Sequence, residues 1–253
     1  MKGVILAGGT GSRMHPLTRI TNKHLLPIYD RPMISYSIEA LVKAGVAEIM
    51  VVTGGTHAGE FLRLLGSGHE HGIDRLVYAY QERAGGIAEA LGLARRFVED
   101  DSLVVMLGDN IVEQSLAPAV AHFEAQREGA RVLLSMVDDA SHLRNLGVPR
   151  FDEHDRIAHI VEKPAEPPSP YAVTGIYFYD QRVFEVITTL KPSGRGELEI
   201  TDVNNWFVAE GLMEWEVLEG FWGDAGESID DYYAVNDFVR AHGANRDGPG
   251  PAT

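Results

Sequence analysis

Val4, Ile5, Leu6 and Ala7 run without a polar break into Gly8-Gly9-Thr10-Gly11-Ser12. A short apolar run stopped by glycine reads as a buried strand that enters a tight turn. Glycines leave backbone N–H groups uncovered, and such groups can cradle a phosphate. Charge points the same way. Residues 1–38 hold five Lys/Arg (Lys2, Arg13, Arg19, Lys23, Arg31) and one acid, Asp30, in a chain with 22 basic and 37 acidic residues. A locally cationic opening in an acidic protein marks a site for an anion. Two familiar phosphate loops are excluded. A P-loop ends in Gly-Lys-Ser/Thr, whereas Ser12-Arg13-Met14 stands here. The dinucleotide fingerprint needs glycine three residues after Gly11, where Met14 sits, and an acid after the second strand, where Thr53-Gly54-Gly55 sits. A nicotinamide dehydrogenase is therefore not expected.

Strand-like runs at residues 3–7, 48–53, 76–80, 103–107 and 132–137 alternate with helical patterns at 33–44, 57–65, 86–98 and 117–128. That alternation implies βαβ units and an α/β fold with a mostly parallel sheet. The second half is more mixed, with strands at 150–152, 157–161, 172–179 and 213–218 and helices at 183–190, 202–210 and 228–241. Residues 22–32 read as an irregular loop, because Pro27 and Pro32 forbid a regular helix. No linker or repeat interrupts the pattern, so residues 1–242 are expected to form a single domain. The Gly/Pro/Asn-rich residues 243–253 are expected to be a disordered tail.

Composition narrows the class. At 253 residues and 45% apolar content the chain can fill one large core. It has no cysteine, which removes disulfides and thiolate metal sites. No apolar run approaches the ~20 residues of a membrane span, and the first strand begins at once, so a cytoplasmic protein without a leader is expected. A net charge of −15 argues against nonspecific nucleic-acid binding. Ligands of open α/β sheets bind beyond the carboxyl ends of strands. Asp109 follows the apolar run 103–107 at such an end. From position alone it serves either a turn or a ligand.

The blocks LAGGTGSRMHPLT and NKHLLPIYDRPMI resemble the signature of the sugar-nucleotide pyrophosphorylases, a nucleotidylyltransferase family. The similarity continues through YAYQERAGGIAEAL, VVMLGDNI, IVEKPAEPPSPYAVTGIYFYD, KPSGRGELEITDVNNWF and WGDAG, in the family's order, across nearly all of residues 1–240. The resemblance implies a Rossmann-like three-layer αβα nucleotidyltransferase fold. It implies nucleotide contacts mainly in 1–115 and sugar-phosphate contacts mainly in 116–242. The branch most similar to this chain joins glucose 1-phosphate to dTTP, with release of pyrophosphate.

Site residues follow from the matched positions. Leu6, Gly8, Gly9, Thr10, Gly11, Ser12, Arg13, Lys23, Gln81, Gly86 and Asp109 would bind the nucleotide. Gly147, Glu162, Lys163, Val173 and Arg195 would bind the sugar phosphate. Asp109 and Asp224 would hold Mg²⁺, and Arg13, Lys23, Asp109, Lys163 and Asp224 would carry catalysis. The partners implied are a nucleoside triphosphate (dTTP, with UTP second) and a sugar 1-phosphate, with no nucleic acid and no membrane; the resemblance is compatible with a homo-oligomer and leaves the oligomeric state open. Departures fall near the base and sugar loops. His24 stands in place of a glutamine, and Ala225 and Glu227 in place of threonines. Synthesis of UDP-glucose or of another nucleotide sugar is the alternative within the class, and a non-catalytic sugar-nucleotide-binding regulatory subunit the alternative outside it. The presence of Arg13, Lys23, Asp109 and Asp224 favours the enzyme.

Overall fold

A computed structural model describes residues 1–247. The first half runs β1 (Lys2–Ala7), β2 (Pro27–Ile28), β3 (Arg31–Pro32), α1 (Met33–Lys43), β4 (Glu48–Gly54), α2 (Ala58–Leu65), β5 (Arg75–Gln81), α3 (Ile87–Gly92), α4 (Arg95–Val98), β6 (Leu103–Leu107) and β7 (Asn110–Val112). It continues through α5 (Ala117–Gln126), β8 (Ala130–Met136), α6 (Ala140–Leu143), β9 (Gly147–Phe151), β10 (Ile157–Glu162) and β11 (Tyr171–Tyr179). The chain then passes through α7 (Arg182–Thr189), α8 (Ile200–Ala209), β12 (Met213–Val217), β13 (Trp222–Asp224) and α9 (Ile229–His242).

Seven strands form one sheet in the order β12-β8-β11-β6-β1-β4-β5. The pairs β1–β4, β1–β6, β4–β5 and β8–β12 are parallel, and β11 alone runs antiparallel, between β6 and β8. The sheet is buried on both faces, so its central strands are continuous apolar runs rather than alternating ones. Val4 and Leu6 of β1 face α3, α4, α7 and α8 through Leu91, Phe97, Val183, Phe184 and Phe207. Ile5 and Ala7, one residue out of phase, face α1, α2 and α5 through Ile34, Leu41, Phe61 and Phe123. The two sheet faces thus produce three layers, as the alternation of strand and helix implied.

A third cluster, Met14, Ile28, Met33, Tyr36, Ile111, Tyr232, Val235 and Val239, seats α9 against the glycine-loop side of the sheet. Three expectations are corrected. The helix read over 86–98 is two helices, α3 and α4, with the break beginning directly after Gly92, the poorest helix former in the segment. Residues 22–32 are not irregular throughout, since Lys23–Leu25 form a 3₁₀ turn and β2 pairs with β3. Residues 243–247, read as part of a disordered tail, are hydrogen-bonded to the body. The Asn245 amide donates to the Val112 carbonyl at 2.9 Å, and the Arg246 amide to that of Glu113 at 2.7 Å. Residues 248–253, the rest of that expected tail, lie outside the described residues.

Candidate active site

The parallel strands β1, β4, β5 and β6 deliver their carboxyl ends to one edge of the sheet, where a cleft of about 420 Å³ opens. All of the residues singled out from the sequence line it: Leu6 and the loop residues Gly8 to Arg13, then Lys23, Gln81, Gly86 and Asp109, and across the cleft Gly147, Glu162, Lys163, Val173, Arg195 and Asp224.

The glycine loop is fixed from behind. Thr18 Oγ1 donates to the Gly11 carbonyl at 2.7 Å, and Asn22 Nδ2 to that of Ala7 at 3.3 Å. Asn22 Oδ1 caps the turn that follows, accepting the His24 amide at 3.0 Å. The turn points Lys23 at Asp109, and the ammonium donates to Asp109 Oδ2. Its neighbour His24 is 2% exposed, with Nδ1 2.7 Å from Asn22 Oδ1. Because that oxygen only accepts, Nδ1 carries the proton. Burial, and then the positive charge of Lys23, push the imidazole down to about 3, so His24 is neutral at pH 7.

Asp109 leaves the end of β6, and Asp224 reaches the same point from far along the chain. The antiparallel pair β7–β13 sets Asp224 opposite Asn110, and the Ala225 amide donates to the Asp109 carbonyl at 2.9 Å. Gly226 is needed at this approach: a Cβ there would lie 2.4 Å from Asp109 Oδ2. Burial opposes ionisation of Asp109, but the Lys23 ammonium outweighs it, by its charge and its hydrogen bond, and holds the carboxyl well below its usual range. Burial, and then negative Asp109, push the Asp224 carboxyl up to about 7. Burial likewise opposes the charge on Lys23, yet Asp109 and Asp224 keep its ammonium above its usual value. Two carboxylates therefore share one resident cation, and the second is under-neutralised.

At the other end, the β9–β10 ladder places Gly147 opposite Glu162. Glu162 Oε2 accepts the Thr201 hydroxyl at 2.6 Å, and its Oε1 lies 3.4 Å from Arg195 Nη2 and 3.7 Å from Lys163 Nζ. Lys163 itself has φ +48°, a left-handed conformation unusual for a side chain of this size. Its backbone is held there by a 3.0 Å bond to the Leu146 carbonyl.

The sequence reading did not single out Asn110, Glu199 and Thr201. Asn110 Nδ2 donates to Asp109 Oδ1 at 3.2 Å, while its Oδ1 accepts from Gly175 N and Trp222 Nε1. Glu199 accepts from Arg195 at 2.9 Å and from the Ser193 hydroxyl at 2.6 Å. Asn110 could have been found from its place beside Asp109. Glu199 could likewise have been found four residues after Arg195, whereas Thr201 carries no comparable local signal, because its partner Glu162 lies on β10.

A glycine loop at the end of a buried strand, cations facing it, and two carboxylates between them define an α/β protein that binds phosphorylated ligands. The nucleotidyl transferase family model matches residues 2–242. The chain belongs to that family. It is 42% identical over 244 residues to the glucose-1-phosphate thymidylyltransferase of Actinoplanes sp., which covers 95% of this chain and 78% of the relative. Its identity to the enzyme of the same name from Neisseria meningitidis is 43% over 229 residues, covering 89% of this chain and 78% of the relative. Among solved structures, a Bacillus anthracis chain described by that name and crystallised with sucrose superposes with a TM-score of 0.89 at 48% identity, covering 95% of each chain. Among the described residues no helix is long and apolar enough to cross a membrane.

Proposed function

We propose that this chain joins glucose 1-phosphate to dTTP, forming dTDP-glucose and pyrophosphate. The observation that carries the reading is the convergence, in one cleft, of the Gly8–Arg13 loop and Lys23 on one side with Lys163 and Arg195 on the other, and Asp109 and Asp224 between them. The relatives named above supply the substrate class. The 1-phosphate oxygen attacks the α-phosphorus and pyrophosphate departs. The nucleophile is already anionic near neutral pH, so no strong base is required. The barrier is the approach of two polyanions and the charge on the leaving group, which positioned cations lower.

Arg13 and Lys23 neutralise the triphosphate while the loop amides hold it. Lys163 and Arg195 bring the sugar phosphate into line. Gln81 and the backbone at Gly86 meet the base, and Gly147, Glu162 and Val173 meet the sugar. Among the described residues no three His, Cys, Asp or Glu side chains form a ready metal cage. Two neighbouring carboxylates, one of them under-neutralised, suit Mg²⁺, which takes one or two protein carboxylates and completes its shell with water and phosphate oxygens. Asp109 and Asp224 would hold it, and bound there it would supply positive charge to the reacting phosphates.

The test is pyrophosphate release with glucose 1-phosphate, Mg²⁺ and each of dTTP, UTP, CTP, GTP and ATP. dTTP is expected to be best and UTP second, and a purine preference would overturn the reading. Asp109→Asn is expected to lower kcat at least ~10²-fold. Full activity in that variant would remove Asp109 from the metal site.

A further inference from the structure

Gln81 ends β5 at the mouth of the cleft and is 8% exposed. Its amide nitrogen donates to the Gly86 carbonyl at 3.2 Å and to Glu89 Oε1 at 3.3 Å. A carboxamide nitrogen carries two protons, and both are taken. Both partners only accept, so the amide cannot turn over without setting oxygen against oxygen. Its Oε1 is left on the side of Gly8, where a Cβ would come within 2.9 Å of it, and among the described residues no donor reaches that oxygen. Glu89, on α3, is itself pinned. Arg83 Nε and Nη2 donate to Glu89 Oε2 at 3.0 and 2.6 Å, which leaves Oε1 for Gln81.

We propose that Glu89 is a positioning residue for nucleotide selection: it fixes the Gln81 amide so that only an acceptor faces the base, which admits a nucleobase with an imide N–H and rejects one with a bare ring nitrogen. Thymine and uracil carry a proton on N3 and pair with Oε1. Cytosine presents a lone pair at N3 and meets Oε1 with repulsion, and no reorientation of the amide relieves it while Glu89 is in place. This rests on the reading that Gln81 contacts the base. A lone Gln would discriminate weakly, since a flipped amide offers cytosine a donor. The carboxylate converts an ambidextrous side chain into a one-way reader.

The experiment compares kcat/KM for dTTP and CTP, with glucose 1-phosphate held saturating, in the wild type and in Glu89→Leu, Glu89→Gln, Arg83→Leu and Gln81→Leu. The wild type is expected to favour dTTP by about 10²-fold or more. Glu89→Leu narrows that ratio about 10-fold, through KM for both nucleotides, with kcat for dTTP little changed. Glu89→Gln, which keeps the size of the side chain and can donate or accept, narrows it by a smaller factor and covers the case in which Glu89→Leu does not fold. Arg83→Leu leaves the ratio within about 3-fold of the wild type. A general loss of packing would instead lower both nucleotides together and leave the ratio alone. If the Glu89 variants keep the wild-type ratio while Gln81→Leu collapses it, the positioning role is wrong and base reading by Gln81 stands. If Gln81→Leu also keeps the ratio, base reading by Gln81 fails, and the role of Glu89 with it.

Discussion

The cations of the cleft are each held by an acid. Lys23 is bonded to Asp109, Arg195 to Glu199, and Arg13 to Glu227. The last pair involves Glu227, one of the departures from the resembled pattern noted in the sequence. On the proposed function, a phosphate at Arg13 competes with this carboxylate for the guanidinium. The Arg13 side chain is 59% exposed, so the pair is screened by water and is worth at most about 1 kcal/mol. Glu227→Thr is therefore expected to lower KM for dTTP by about 2- to 5-fold, with kcat nearly unchanged, as initial rates at saturating glucose 1-phosphate would read. An unchanged or higher KM would show that the carboxylate does not compete with substrate. Arg13 was legible in the sequence because a cation beside a glycine loop departs from the usual solvated arginine. Its partner was not, because 214 positions separate the two and only the fold brings them together.

Elements were legible where an apolar run or an apolar face is long enough to register. β6 is apolar throughout, β1, β4 and β5 carry an apolar run inside them, and α1 and α9 show one apolar face each. The pair β7–β13 was not read, and it is what sets Asp224 beside Asp109. Each of its strands is three residues long, too short for any alternation to register. The helix after it is marked clearly. Ser228 Oγ accepts the Asp231 amide at 3.1 Å, and Asp230 and Asp231 lie in the first turn, where the helix dipole favours negative charge. α9 carries Tyr232, Val235 and Val239 onto Met14 and Ile111, so its start supports the glycine loop and β7 together. Ser228→Ala is expected to cost about 1 kcal/mol. In a chain of this size that lowers Tm by roughly 2–4 °C, measured by thermal denaturation. No shift would mean that the cap does not limit the stability of the helix.

At the scale of the whole molecule, one residue beyond α9 ties three elements together. Asn245 is 1% exposed. Its side chain donates to the Tyr36 carbonyl of α1 at 2.9 Å and to Glu39 Oε2 at 3.1 Å, and its backbone amide to Val112 of β7 at 2.9 Å. Composition marked this segment as tail because Gly, Pro and Asn favour turns. The same preference is what lets Asn245 adopt φ +52° at low cost. Two variants separate the two contributions. Asn245→Gly keeps the backbone conformation and removes both side-chain bonds, to the Tyr36 carbonyl and to Glu39, at a cost of about 1–3 kcal/mol for the two together. Asn245→Ala loses the same bonds and adds left-handed strain of about 1 kcal/mol. Both should unfold at lower denaturant than the wild type, with alanine the lower of the two. Both should keep kcat, because the residue lies behind α1 and β7, not in the cleft. Equal midpoints for the two variants would remove the backbone contribution. Wild-type midpoints in both would mean that the segment hangs on the body without holding it together.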